Sequence, residues 1–279
     1  MKKISKMQIT SILNYMLALM FSVFLMSCEE VIDIDLHDTE PRTVIEAVIT
    51  DQTGPYIVKL SKSGDYFVPN EYQTISNALI QIEDYTGISD NLVEVEPGIY
   101  HTNTLQGMPG NAYGIYISIE NITYFAESIM PFPVEIDSIS YEISENNGPG
   151  PNSDSNYILH CYFQDRVESE DFYRFRVYRN GVLDKNIILS KDEFTNGNYL
   201  DFEIQQVDSL QVNDLVTIEL LTLNKENYDY FFSLSDALAN GNGGFMSDAP
   251  ANPDTNLDSE ALGYFGTYPI RTATIQLED

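Results

Sequence analysis

From residue 43 onward the chain alternates apolar and polar residues with a period of two, and that pattern restricts it to strands. Thr43–Ile49 and Tyr56–Leu60 flank an Asp51-Gln52-Thr53-Gly54 turn. In Asn77–Ile82, Ile80 and Ile82 fall on one face while Leu79 and Gln81 fall on the other. Gly98–His101, Ala112–Ile119 and Ile122–Ile129 continue the series at sandwich-like spacing. Pro131 and Pro133 then interrupt it, because proline supplies no ladder donor, so a module boundary is expected there. Strands resume at Val134–Ile143, Tyr157–Phe163, Phe172–Tyr178, Val182–Leu189, Tyr199–Ile204 and Leu215–Leu223. Between the first two of these, residues 146–156 are loop by composition. Asn180-Gly181 is the strongest hairpin signal, since both residues accept the positive φ of a type I′ turn.

The expectation is an all-β protein in two parts. Gly98-Ile99-Tyr100, the Leu105–Gly110 run with its Pro109-Gly110 turn, and Tyr113–Ile117 resemble the close of an immunoglobulin-like or transthyretin-like module, assigned to residues 40–132. Residues 133–279 form a second β-sandwich-like domain carrying one helix near 225–239. Asn224 caps that helix, Gly241 suits its left-handed end, and Tyr228, Phe231, Phe232, Ser235, Leu238 and Ala239 recur as the stripe expected to pack on the second sheet. A long loop, Gly241–Asn256, follows, of a length that is often functional. A closing strand is expected at Tyr264–Tyr268 or within Arg271–Leu277.

The N-terminus carries the most specific signal. Lys2, Lys3 and Lys6 precede a mostly apolar stretch, Ile12–Met26, too short and too interrupted to span a bilayer but suited to a secretory signal. It ends in Leu25-Met26-Ser27-Cys28, which resembles a lipobox: an aliphatic residue, a small residue, and a thiol to carry diacylglycerol. Residues 1–27 thus read as a lipoprotein signal peptide, Cys28 as the lipidation site, and residues 28–39 as an acidic tether. Acyl chains would anchor the protein to a membrane without a spanning helix. With Cys28 acylated, Cys161 has no partner, and its aromatic, aliphatic surroundings identify it as a buried small hydrophobe.

Composition narrows the function. The chain holds 14 basic and 43 acidic residues, a net charge of −29, and removal of residues 1–27 takes three lysines and no acid. Such a surface excludes nucleic acid by repulsion. The apolar content of 43%, with 19 Tyr and 14 Phe, supplies a core and argues against disorder. No catalytic constellation stands out: His37, His101 and His160 are scattered, without a metalloprotease His pair or a nucleophile elbow. Asp254, Asp258 and Glu260 space oxygens like the start of a calcium loop, but Ser259 and Phe265 stand where glycine and glutamate are required. The chain therefore reads as no enzyme, with neither a cofactor nor a metal expected.

Three stretches carry a family resemblance. Cys28–Asp35 with Val44–Asp51 resembles the opening of the domain of unknown function 4249 lipoproteins. Asn227–Leu234, Pro250–Pro253 and Leu262–Tyr268 are similar to its C-terminal half. Residues 146–156 depart as a local expansion, and Ser259-Glu260-Ala261 replaces a glycine expected before Leu262. The resemblance implies a Bacteroidota lipoprotein, typically beside TonB-dependent outer-membrane receptors; it names no ligand and no site residue. In that setting Glu29, Glu30, Asp33 and Asp35 resemble acidic surface-export signals. Asp137-Ser138-Ile139 and Asp208-Ser209-Leu210 match a short O-glycosylation pattern at Ser138 and Ser209. The function expected is an outer-membrane, surface-exposed accessory to nutrient uptake that binds or gates, partnered by a receptor and an unidentified nutrient. A surface adhesin or spacer is the alternative, with an extracellular hydrolase behind both.

Overall fold

The computed structural model describes residues 41–64, 72–143, 157–205, 207, 210–240, 252–258 and 260–278. The signal segment, Cys28, the acidic tether, residues 146–156, Ser209, Gly241 and the loop as far as Ala251 lie outside the described residues. The strands in chain order are β1 (Thr43–Thr50), β2 (Ile57–Lys62), β3 (Leu79–Asp84), β4 (Ser89–Asn91), β5 (Val93–Glu96), β6 (Ile99–His101), β7 (Ala112–Ile119) and β8 (Ile122–Ile129). There follow β9 (Ile136–Ile143), β10 (Tyr157–Gln164), β11 (Phe172–Arg179), β12 (Val182–Leu183), β13 (Ile188–Lys191), β14 (Tyr199–Ile204) and β15 (Leu215–Leu223). A helix, α1 (Lys225–Asn240), the one helix among the described residues, precedes β16 (Leu262–Tyr268) and β17 (Ile270–Gln276). The fold is all-β, as the periodicity requires.

The first sandwich packs the sheet β16-β1-β2-β6-β5 with the sheet β4-β3-β7-β8. Alternation sets the inward faces: Ile45, Ala47 and Ile49 of β1 are fully buried, as are Ile80 and Ile82 of β3, while Leu79 is 77% exposed. Each of these buried isoleucines contributes about 1.5–3 kcal/mol by leaving water. Tyr113 enters the core at the start of β7, and its hydroxyl accepts the Met108 N–H at 2.7 Å. That bond closes the turn in which Gly110 takes φ of 86°. It is the corner device of immunoglobulin-like sandwiches.

The second sandwich packs β14-β10-β9 on β12-β11-β15-β17, with β13 also paired to β11. Leu159, Cys161 and Phe163 of β10 meet Tyr173, Phe175 and Val177 of β11 in its core. The Asn180-Gly181 turn joins β11 to β12 with φ of 49° and 82°, the type I′ values. The strand expected over Val182–Leu189 is split into β12 and β13, and both segments pair with β11.

Two features differ from the sequence-based expectation. First, both candidate closing strands form, and they go to different sandwiches: β16 pairs in parallel with β1, and β17 pairs antiparallel with β15. Leu257, Ala261 and Phe265 thereby complete the first core, so residues 40–132 do not close that module alone. Glu40–Asp279 accordingly forms one compact unit. Second, Tyr228 and Phe231 of the expected stripe do pack inward, but the rest of that face is Asn227, Tyr230 and Leu234, whereas Phe232, Leu238 and Ala239 are exposed. The displacement has a polar cause: Asn227, fully buried, donates to the Phe265 carbonyl at 3.0 Å and accepts the Thr267 N–H at 3.3 Å. Asn224 caps the helix as expected, accepting the Asn227 N–H at 2.9 Å.

Candidate functional site

A third apolar cluster lies where the two sandwiches meet. Tyr230 and Phe231 of α1, Phe172 of β11, Leu221 and Leu223 of β15, and Tyr268 of β16 form it, with Tyr264 and Val48 packed alongside. Beside this cluster opens a cavity of about 410 Å³, and strand alternation determines its walls. Glu46, Val48 and Thr50 point outward from β1, Lys59 from β2, and Tyr264 and Tyr268 from β16. On the opposite wall Arg174 and Arg176 project from β11, while Tyr173, Phe175 and Val177 point the other way into the second core. Gly266 lies between the two β16 tyrosines, where a Cβ would fall 2.8 Å from the Tyr264 ring and 2.9 Å from that of Tyr268.

The charge of this cavity opposes that of the molecule. Its lining brings Arg174, Arg176 and Lys59 together against one acid, Glu46. The Arg174 guanidinium carbon stacks 3.9 Å from the Phe231 ring centroid, and no carboxylate pairs with it among the described residues. Arg176 pairs with Glu219 at 2.6 Å. The Nε–H groups of both arginines are buried without a hydrogen-bond partner. Burial pulls the Arg174 pKa down, though a guanidinium stays charged at neutral pH. Burial, reinforced by the Tyr268 hydroxyl, pushes Tyr264 well up, and burial pushes Tyr230 up to about 12, so both phenols remain neutral. Two guanidiniums with spare donors, an ammonium and neutral hydroxyls around an aromatic wall suit a carboxylate or another small anion.

A second cavity, about 420 Å³, lies between α1 and the β13–β14 region. Phe202, Tyr228 and Phe232 line it, and Glu203 and Asp236 give it acidic polar groups. Its carboxylates match the sign of the whole surface, so it offers less contrast for a charged ligand than the arginine cavity does.

The residues singled out from the sequence are dispersed. Ser138 is exposed on β9, opposite Tyr162 of β10. Cys161 is buried in the second core, and burial pushes its thiol up to about 12. His160 hydrogen-bonds Asp201 through Nδ1 at 2.7 Å, while Ser140, opposite it on β9, bonds the Tyr162 hydroxyl at 3.2 Å. His101 sits on β6, far along the chain from that pair. Asp258 holds β8 by accepting the Phe125 N–H at 2.9 Å, and the Asp254 N–H donates to Ser233 at 2.8 Å. Sequence reasoning missed Arg174 and Arg176. Their signal was two cations at alternate positions within the otherwise apolar and aromatic Phe172–Tyr178 run of a cation-poor chain.

The chain matches the family described as domain of unknown function (DUF4249) over residues 29–274. It belongs to that family. No curated protein matches it. The Asn227–Leu234 and Leu262–Tyr268 stretches, 28 residues apart in sequence, meet at this junction through Asn227, Tyr230, Phe231 and Tyr264. Tyr230 stacks on Tyr264 at 4.3 Å between ring centroids.

Proposed function

We propose that this DUF4249 protein is a lipid-anchored accessory of a TonB-dependent uptake system in the outer membrane, and that it binds a small anionic nutrient at the junction cavity. The observation that carries the reading is Arg174, a half-buried cation without a carboxylate partner in a chain with three acids for every base. A fold that could pair this charge with ease leaves it facing a cavity. The lipobox ending at Cys28 supports the anchor, and the acidic residues just after it support surface exposure. The receptor as partner is what the resemblance read in the sequence implies. Binding at the cavity, with delivery to the barrel, requires no covalent chemistry.

The test is an affinity pull-down of the C-terminally tagged protein from detergent-solubilised outer membranes. Co-purification of a TonB-dependent receptor in near-equal amount supports the reading. Recovery of the lipoprotein alone, in detergents that keep other receptor complexes intact, overturns it in favour of a surface adhesin or spacer.

A further inference from the structure

The second sandwich carries a group of acids that the junction cavity does not involve. Asp165 and Asp171 bound the loop between β10 and β11, and Asp192 follows β13 directly. All three are about 1% exposed, and one carboxylate oxygen of each lies within 4.8 Å of the others. The Asp165 carboxylate accepts the Tyr173 hydroxyl and the Gly197 N–H, the latter at 2.7 Å. Arg166 grips both oxygens of Asp171, its Nε at 3.0 Å. No other cation pairs with any of the three among the described residues. Three buried carboxylates thus share one guanidinium.

Asp192 supplies an independent reason to look for a ligand. Its backbone is already engaged: its N–H donates to the Asp171 carbonyl at 3.2 Å, continuing the pairing of β13 with β11, and its carbonyl accepts the Thr195 N–H at 2.7 Å in the turn that follows. Of its side chain, Oδ2 is fully buried without a hydrogen-bond partner. Buried carboxylates are paired, protonated or bound to a metal. We propose that Asp165, Asp171 and Asp192 form a binding site for one divalent calcium ion that fastens the 165–171 loop to the turn after β13.

Two negative charges beyond the one Arg166 neutralises match a divalent ion. All-oxygen donors select a hard cation. A nearly dry site favours calcium, because magnesium retains several waters. Burial, opposed by a backbone hydrogen bond from Asp171 and reinforced by the Asp165 and Asp171 charges, raises the Asp192 carboxyl above its ordinary value.

The experiment uses the full chain, extracted in detergent, stripped with a chelator and titrated with calcium chloride. A thermal midpoint rising by roughly 5–10 °C at one hundred times the dissociation constant is expected. Asp192→Asn should lose that rise. Terbium luminescence excited through tyrosine requires no variant; calcium should displace it at one ion per chain, and this chain has no Trp to compete for excitation. Absence of both responses, or an undiminished rise in Asp192→Asn, overturns the proposal.

Discussion

Replacing Asn227 with alanine tests how the helix is joined to the sheets. Asn227 is fully buried, and its amide serves the free edge of β16 with two hydrogen bonds, at 3.0 Å to the Phe265 carbonyl and 3.3 Å from the Thr267 N–H. β1 occupies the other edge. The Phe265 carbonyl keeps a second donor, the Asn256 amide at 2.8 Å, so the variant strands one group outright, the Thr267 N–H. An unsatisfied buried donor costs about 1–3 kcal/mol, and the lost bond to Phe265 adds about 0.5–1.5. A loss of about 2–4 kcal/mol follows, roughly 4–16 °C in thermal midpoint for a chain of this size. Urea denaturation of Asn227→Ala, with exposed Asp236→Ala as control, measures it. Because Asn227 and Asn256 share the Phe265 carbonyl, the double variant should lose more than the two single losses added. A single-variant effect within 0.5 kcal/mol, about that of an ordinary surface change, would refute the view that side-chain amides cap this edge.

Three further outcomes are expected. Arg174→Met should change stability by no more than about 1 kcal/mol, since the stacking on Phe231 and the cost of burying an unpaired charge offset each other, yet it should abolish any rise in thermal midpoint caused by small carboxylates; an undiminished rise removes the cavity from the anion reading. Asp90 is buried and accepts three backbone N–H groups, those of Asn103 (2.8 Å), Thr104 (2.6 Å) and Leu105 (2.8 Å). Burial opposes its ionisation, but these bonds outweigh it and hold the carboxyl below the ordinary range. Its stabilisation is therefore complete above about pH 4, the unfolded value, and disappears as pH falls through the folded pKa. Asp90→Asn should cost about 2–3 kcal/mol at pH 7 and progressively less in acid; a loss independent of pH contradicts the assignment. The native protein should leave Cys161 unreactive to thiol reagents, and the unfolded processed protein should titrate one thiol; two would show that Cys28 carries no lipid.

Local chemistry was legible in the sequence and long-range convergence was not. The Asn180-Gly181 turn, the Asn224 cap and the inward Ile80 and Ile82 each depend on a few adjacent residues, and all appear as read. The face of α1 was misjudged because apolar spacing cannot weigh a buried amide that serves a strand nearly forty residues away. The partner of β16 is β1, more than two hundred residues earlier and parallel, and neither strand's pattern announces the other. The arginine cavity was partly visible, since Arg174 and Arg176 alternate within β11; what alternation cannot reveal is that their face meets β16 instead of solvent. Asp165, Asp171 and Asp192 follow no metal-ligand spacing, and only the pairing of β13 with β11 brings Asp192 to the other two.

The crossing at Pro269 determines how the cavity behaves. β16 and β17 are separated by that one residue, yet one belongs to the first sandwich and the other to the second, so neither can move away from the other without losing a strand. Arg271 reinforces the corner by pairing with Asp51 and with Glu135, both at 2.5 Å, and the Ile270 N–H donates to Asp51 at 2.9 Å. The β1–β2 turn is thereby tied to the start of β17. One wall of the cavity belongs to β1, β2 and β16, the other to β11, and this corner fixes their separation. The cavity is therefore formed by the fold itself, and the proposed binding would avoid the ordering cost that a hinged cleft incurs. Arg174, stacked on Phe231 and without a carboxylate partner among the described residues, stands in that fixed wall as the preorganised donor that the proposed anion binding calls for.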